Sequence, residues 1–228
     1  MKAVPSPMRT GQADRKSPKS SPVGRTPERR ETSALPRTLK ARSRGTDTAL
    51  QRHVSFFDDN GDRAVDVVEC TRGLKALGLP VGMAEAAALA IVAPLSIQTR
   101  GSLLAMKVDI DSIHKSMHDS DTGILDKRGR FSARRFNKVF GKHSGVGRDG
   151  DKVFTATALT EIIGASRETL LGTLVSTAEW RLLLALAADT EAVEDGRTVP
   201  ALSAPRIKSF YDGTLFYTMA RERARVPR

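Results

Sequence analysis

Oxygen-bearing residues recur between positions 58 and 69 at the spacing of a calcium-binding loop. Loop positions 1, 3, 5, 9 and 12 fall on Asp58, Asn60, Asp62, Asp66 and Glu69, and the backbone carbonyl at position 7 belongs to Ala64. Calcium takes six to eight hard oxygen ligands, and this set can supply them, with the glutamate binding through both oxygens. The spacing therefore predicts a calcium site of the EF-hand type.

Arg63 stands at loop position 6, where such loops place glycine. This position adopts a left-handed backbone conformation, which costs a residue with a Cβ atom roughly 1 kcal/mol. The guanidinium also brings a positive charge near the ion. Two interpretations stay open: a weakened but competent calcium site, and a structural loop that remains empty.

Four histidines offer further metal-binding chemistry: His53, His114, His118 and His143. His114 and His118 are spaced i, i+4, which puts them on one helical face and can hold zinc if a third ligand arrives from elsewhere. A solvated or core-satisfied pair is the commoner explanation of that spacing. His143 lies in a polar, glycine-rich stretch and is expected to face solvent.

Several common catalytic patterns are missing from the sequence. It has no G-x-S-x-G elbow and no P-loop. Cys70 is the one cysteine, so no internal disulfide can form and a reducing compartment is the default expectation.

Helices are expected on both sides of the loop. Leu50, Val54 and Phe57 have helical spacing before it, and a second helix after it is expected to stop near Gly78 and Pro80. An apolar segment follows over residues 79–99, with its most apolar run from Met83 to Ile97. That run is shorter than the roughly 20 residues of a spanning helix, and it predicts either a buried core helix or a segment at a lipid surface.

The rest of the chain predicts a C-terminal helical part over residues 105–221. Helices are expected over 107–118 and 133–140, with a turn-rich stretch between them, and two more over 168–188 and 204–225. No alternating pattern predicts more than a short strand pair. The fold class is therefore mainly α, with an EF-hand helix-loop-helix over residues 48–78 at its start.

Charge divides the chain further. Residues 1–49 hold twelve Lys/Arg and four Asp/Glu of a chain whose net charge is +11. Residues 1–47 are predicted to be a disordered basic tail rich in serine and proline, and residues 222–228 a second basic tail. Specific nucleic-acid binding is not expected, because the ordered part shows neither a basic stripe nor interleaved aromatic residues.

Five stretches occur in the order found in one known family: "ALQRHVSFFD", "RGLKALGL", "SIHKSMHDSDTGILDKRGRF", "TAEWRLLLALAAD" and "SFYDGTLFYTMAR". Over residues 48–221 the chain resembles the caleosins, also called plant seed peroxygenases. The resemblance implies a calcium-binding, haem b-containing peroxygenase at the periphery of lipid droplets or of the endoplasmic reticulum membrane. By position, His53 and His118 match the family's haem-ligating histidines, and His114 matches a family histidine without so clear a role.

Enzymes of this family take oxygen from a fatty-acid hydroperoxide, which leaves as the alcohol, and insert it into an unsaturated lipid. The family's proline-rich membrane segment is reduced here to Pro80 and Pro94, so the alternative location is a soluble cytoplasmic one. The alternative function is a non-catalytic, calcium-responsive protein that binds lipid droplets or membranes. The oligomeric state is not predicted by the sequence.

Overall fold

The computed structural model describes residues 44–117, 123–164 and 180–225. Helices are α1 (Ala49–Ser55), α2 (Val67–Ala76), α3 (Val81–Arg100), α4 (Ala133–His143), α5 (Ala156–Gly164), α6 (residues 180–187), α7 (Ala204–Tyr211) and α8 (Leu215–Arg225), with a 3-10 turn at Ile113–Ser116. Strands are β1 (Ala64–Asp66), β2 (Lys107–Asp109), β3 (Gly145–Val146), β4 (Lys152–Phe154), β5 (Thr190–Glu194) and β6 (Arg197–Ser203). The fold is mainly α, but the expectation of no more than one short strand pair was wrong.

Capping boxes begin the first two helices. The Thr48 hydroxyl accepts from the Gln51 backbone N–H, and the Gln51 side chain accepts from the Thr48 N–H. Asp66 and Glu69 form the same reciprocal pair at the start of α2. Each box satisfies backbone donors that the first helical turn leaves unpaired, which fixes where the helix starts.

The loop between α1 and α2 ends in strand β1, which pairs antiparallel with β2. Val65 lies opposite Val108, and both side chains are buried. Residues 107–117 were predicted to be helical; they form β2 and then the 3-10 turn instead. Burial of Val108 against Val65 favours the strand, a pairing between residues more than forty positions apart.

The second sheet has the strand order β3-β4-β6-β5. Its two outer strands also meet, because Gly147 and Ala192 form an isolated bridge. A Cβ atom on Gly147 would lie 2.9 Å from Cγ1 of Val153, so only glycine allows this close approach. The predicted C-terminal helical part therefore contains a small sheet as well as helices.

Helix α3 is longer than the apolar run predicted. It has 20 residues, runs through Pro94, and is long and apolar enough to cross a membrane by length and composition. A stripe of small residues is buried: Ala84, Ala88, Val92, Ser96 and Thr99. The Ser96 and Thr99 hydroxyls accept from the backbone N–H groups of Lys107 and Asp109, which tie α3 to β2. The apolar run was predicted to be shorter than a spanning helix; the helix that contains it reaches that length.

The stretch predicted as one helix over 204–225 is two helices. Gly213 separates α7 from α8 with φ of +81°, and the Asp212 carboxylate accepts from the Thr214 N–H and hydroxyl. Of the helix predicted over 168–188, residues 168–179 lie outside the described residues, and 180–187 are helical.

Two hydrophobic clusters form the core. One centres on Phe56, Phe136 and Phe154 with α5 to α8, and the other on Val92, Val108 and Ile110 with α2 and α3. Phe57 and Leu186 pack against both clusters. An apolar cavity beside His53 is lined by residues from both clusters.

Candidate functional site

Helix α1 carries His53, and the α7–α8 turn holds this helix in place. Nη1 of Arg52 donates to the Asp212 carbonyl at 2.8 Å, and the Tyr217 hydroxyl donates to the Arg52 carbonyl at 3.2 Å. A Cβ atom on Gly213 would lie 3.0 Å from the backbone nitrogen of His53, so glycine allows the turn to reach the helix. The position of His53 thus depends on residues 160 positions away.

The His53 ring is enclosed by aromatic side chains. Its centroid lies 4.9 Å from that of Phe210 and 4.4 Å from that of Phe216. Burial lowers the pKa of His53 from 6.5 to about 4, although a hydrogen bond with the Phe210 backbone acts in the opposite direction. The imidazole is therefore neutral near pH 7, which leaves a nitrogen lone pair available to a metal.

His53 lines an apolar cavity of about 290 Å³, at the small end of the range for small-molecule sites. Its walls come from six helices (α1, α2, α3, α6, α7 and α8), from β1 and β2, and from the 3-10 turn. They include Leu50, Val54, Phe57, Leu74, Ile91, Val92, Leu95, Ile113, Met117, Trp180, Leu183, Leu186, Phe210 and Phe216. Cys70 also lines it, and burial raises the pKa of this thiol to about 12, so the sulfur is protonated and a poor nucleophile. The helical spacing of Leu50, Val54 and Phe57 indicated an apolar face, but not that this face borders a cavity.

The other histidines do not join His53 within the described residues. His118 lies outside them, although Met117, the residue before it, lines the cavity. His114 is exposed in the 3-10 turn, so the α-helical face on which the zinc interpretation depends is not present over Ile113–Ser116. His143 was expected to face solvent; its side chain is only 16% exposed, with Nδ1 3.8 Å from the Glu161 carboxylate.

The acidic side chains of the 58–69 loop are bonded to the loop's own backbone. The Asp58 carboxylate accepts from the N–H groups of Gly61 at 2.7 Å and Arg63 at 3.1 Å. Glu69 accepts from the N–H groups of Asp59, Asn60 and Asp66 at 3.0 to 3.2 Å. Burial raises the pKa of Glu69, and these hydrogen bonds oppose the shift.

Asn60, Asp62 and Asp66 follow the same pattern. Oδ1 of Asn60 accepts from the Asp62 N–H, Oδ1 of Asp62 accepts from the Ala64 N–H, and Oδ1 of Asp66 accepts from the Glu69 N–H. The donor types fit calcium, yet no cluster of three or more His, Cys, Asp or Glu side chains suited to a metal occurs in the described part of the chain. The arrangement shown here therefore does not assemble the oxygens around an ion.

Arg63 has φ of +68°, the left-handed conformation expected at this loop position. Its guanidinium pairs away from the loop oxygens: Nη1 donates to the buried carboxylate of Asp47 at 3.1 Å, and Nε donates to Asp111 at 3.2 Å. Burial lowers the pKa of Arg63, but bonds to Asp111 and Asp47 raise it more, and the same bond lowers the pKa of Asp111. The charge of Arg63 is thus compensated by residues 16 and 48 positions away, which the sequence pattern did not reveal.

One family model and two known proteins match most of this chain. The family model described as caleosin related protein matches residues 45–220. A protein of Arabidopsis thaliana named probable peroxygenase 4 is 32% identical over 183 residues, which cover 78% of this chain and 88% of that protein. A peroxygenase of Lilium longiflorum is 30% identical over 182 residues, covering 78% of this chain and 72% of the relative.

A further Arabidopsis thaliana relative, named probable inactive peroxygenase-like protein, is 29% identical over 105 residues, or 45% of each chain. No solved structure matches the chain significantly. The family match covers most of the described fold, including α1 with His53, the 58–69 loop and α3. The resemblance found in the sequence is confirmed: this chain belongs to the caleosin family.

Proposed function

We propose that this protein is a haem-dependent peroxygenase whose reaction takes place in the cavity beside His53. One observation carries the proposal: a neutral imidazole lines an apolar cavity, in a chain whose relatives are named peroxygenases. Haem b, when bound, would supply the chemistry that breaks the O–O bond of a fatty-acid hydroperoxide. One oxygen atom then passes to an unsaturated lipid, and the hydroperoxide leaves as its alcohol.

His53 has the features of an iron ligand. Its neutral ring keeps one nitrogen lone pair free, and the hydrogen bond with the Phe210 backbone orients the ring. Metal-binding histidines commonly donate their second N–H to a backbone carbonyl in this way. We assign the second ligand role to His118 from the family resemblance, and Met117 brings the chain to the cavity immediately before it.

The cavity walls are apolar, as the acyl chains of the proposed substrates are. Side chains such as Leu74, Ile91 and Leu95 exclude water and offer an apolar surface to an acyl chain. The protonated Cys70 thiol adds no competing nucleophile.

Calcium binding by the 58–69 loop is part of the proposal, with Asp58, Asn60, Asp62, Ala64, Asp66 and Glu69 as ligands. Its support is the spacing of the oxygens between α1 and α2 and the left-handed backbone at Arg63. Because Glu69 now accepts three backbone hydrogen bonds, binding requires its carboxylate to turn toward the ion. Calorimetric titration of calcium into the protein and into the Arg63→Gly variant tests this. If neither protein released or absorbed heat on calcium addition, the loop would have only a structural role.

We also propose that α3 associates with a lipid droplet or the periphery of the endoplasmic reticulum membrane. Its exposed apolar side chains include Val81, Met83, Leu89 and Ile97, each about half exposed or more. A lipid surface would remove them from water at roughly 25 cal/mol per Å². A soluble cytoplasmic protein is the alternative location.

The second candidate function is a non-catalytic, calcium-responsive lipid-binding protein. It is favoured by one relative of this chain, which is named a probable inactive peroxygenase-like protein. Only the peroxygenase candidate requires the His53 cavity for its reaction. Both candidates use the 58–69 loop for calcium and α3 for lipid.

Reconstitution with haem separates the candidates. The protein should develop a Soret band and convert a fatty-acid hydroperoxide to its alcohol, with oxygen transferred to an unsaturated fatty acid. His53→Ala should lose the Soret band and the activity, whereas the matched control His114→Ala, at an exposed position, should keep the band.

A colourless protein that still floats with lipid droplets would support the non-catalytic candidate. A normal Soret band in both His53→Ala and His118→Ala would overturn the ligand assignment. Circular dichroism of each variant is the control that identifies a variant which loses haem only because it is unfolded.

A further inference from the structure

Helix α4 gathers basic side chains on one face. Residues 123–143 contain seven Lys/Arg and one Asp/Glu of a chain whose net charge is +11. Positions 134, 138 and 142 are spaced i, i+4, i+8, so their side chains follow one line along the helix. Three cations of α4 therefore lie in one line on the helix surface.

The opposite side of α4 fixes the direction of this stripe. Phe136 and Phe140 are buried in the core and stack with centroids 5.4 Å apart. The helix cannot rotate without exposing both rings, so Arg134, Lys138 and Lys142 point to solvent. The tertiary structure therefore presents these charges as a preformed row.

The charges of this row are not compensated. Arg134, Lys138 and Lys142 have no hydrogen bond or ion pair with any side chain that the structure describes, whereas nearby Arg130 pairs with Asp126 at 2.7 Å. Arg135 donates to the carbonyls of Gly123 and Leu125, which attaches the preceding turn to the helix. An uncompensated row of cations is complementary to an array of anions.

We propose that the basic face of α4, formed by Arg134, Lys138 and Lys142, docks the protein on anionic phospholipid head groups. Fixed cations near an acidic bilayer attract its surface over about a Debye length.

Nucleic acid fits these observations less well. Proteins that bind single strands stack bases on exposed aromatic side chains. The large exposed apolar residues within the described ranges are aliphatic, and Phe136 and Phe140 of α4 face the core. The row of cations thus lacks the stacking surface that would accompany it.

Binding of the full chain to vesicles tests the proposal. The probe is phosphatidylcholine vesicles with and without phosphatidylserine, measured by co-sedimentation at low and high salt. Each basic residue near an anionic bilayer contributes roughly a fivefold gain in affinity, so Arg134→Gln/Lys138→Gln/Lys142→Gln should lose on the order of a hundredfold on the anionic vesicles. Glutamine keeps a similar helix propensity, so α4 should remain folded.

The matched control is Lys152→Gln/Arg197→Gln/Lys208→Gln, which removes the same charge from other exposed positions and leaves the basic amino-terminal segment in place. It should keep wild-type affinity, and Arg134→Lys should do so too. If both triple variants lost the same affinity for anionic vesicles, net charge alone would cause the effect, and the proposal would be overturned. Loss of binding to single-stranded RNA with unchanged vesicle binding would also overturn it, in favour of a nucleic-acid partner.

Discussion

The 58–69 loop and the His53 cavity are adjacent in sequence but differ in how their polar groups are satisfied. In the loop, Asp58 and Glu69 are buried and accept hydrogen bonds from the loop's own backbone. In the cavity, His53 is neutral, is oriented by the Phe210 backbone, and borders open space. The cavity is open space with mostly apolar walls, whereas an ion in the loop has to compete with the loop's own hydrogen bonds.

This difference has a consequence for stability. Groups that already have partners stabilise the fold, and removing one leaves the others buried and unpaired. Side chains that border a cavity are expected to stabilise the fold less and to be available to bind a ligand. Substitutions in the loop should therefore change stability most, and substitutions around His53 should also change ligand binding.

Glu69→Gln should lower the free energy of unfolding by about 3 kcal/mol, because charged hydrogen bonds to three backbone N–H groups are weakened and an amide N–H₂ is placed among donors. Urea denaturation measures the loss. Glu85→Gln, at an exposed position of α3, is the control and should change stability little. Equal stability of the two variants would contradict the view that the loop is held by its own carboxylates.

Gly213→Ala should lower the free energy of unfolding by about 2 kcal/mol and weaken haem binding, because a Cβ atom would meet the backbone of α1 at His53. Gly150→Ala is matched to it, since Gly150 also has positive φ but open space around its Cβ position. The control should lose about 1 kcal/mol from backbone strain alone. If haem affinity fell equally in both variants, contact between the α7–α8 turn and α1 would not position His53.

The titration of His53 should make stability depend on pH. In the folded state its pKa is about 4, below the ordinary value of 6.5, so between these values the unfolded chain binds a proton that the folded chain does not. Stability from this group is fully present above pH 6.5 and is lost as the pH falls toward 4. Thermal unfolding across this range should show a steeper decline for the wild type than for His53→Phe; parallel curves would contradict a buried neutral imidazole.

Arg63→Gly should lower the free energy of unfolding by about 1 kcal/mol, the smallest of the four effects. Relief of left-handed strain gains roughly 1 kcal/mol, but loss of the guanidinium leaves the buried Asp47 carboxylate without its cation. Asp47→Asn combined with Arg63→Gly should recover part of the loss in urea denaturation. If Arg63→Gly alone were more stable than the wild type, Arg63 would not stabilise the loop.

Local spacing was enough to predict several elements. The spacing of Leu50, Val54 and Phe57 predicted α1. The caps that fix the starts of α1 and α2, which were not predicted, also join residues three apart: Thr48 with Gln51 and Asp66 with Glu69. The left-handed conformation of Arg63 followed from its place in the loop. The assignments of His53, His118 and the loop ligands came from pattern and resemblance, and they stay predictions.

The small sheet could not be predicted from the sequence. Strands of two or three residues, such as β3 and β4, are too short to show a period of two. Their pairing depends on residues far along the chain, as in Val153 opposite Ser203. The split between α7 and α8 at Gly213 was missed for a similar reason, because an apolar pattern continued on both sides of the turn.

The sequence by itself determined the order of the first helices and the loop, the chemistry of the candidate ligands and the membership of the family. Only the tertiary structure decided that His53 is neutral, that Arg63 pairs with Asp47 and Asp111, and that three cations of α4 form one exposed row. The physical reason is range: caps and helical spacing act within a few residues, whereas burial, pKa and charge pairing depend on neighbours that the fold brings from distant parts of the chain.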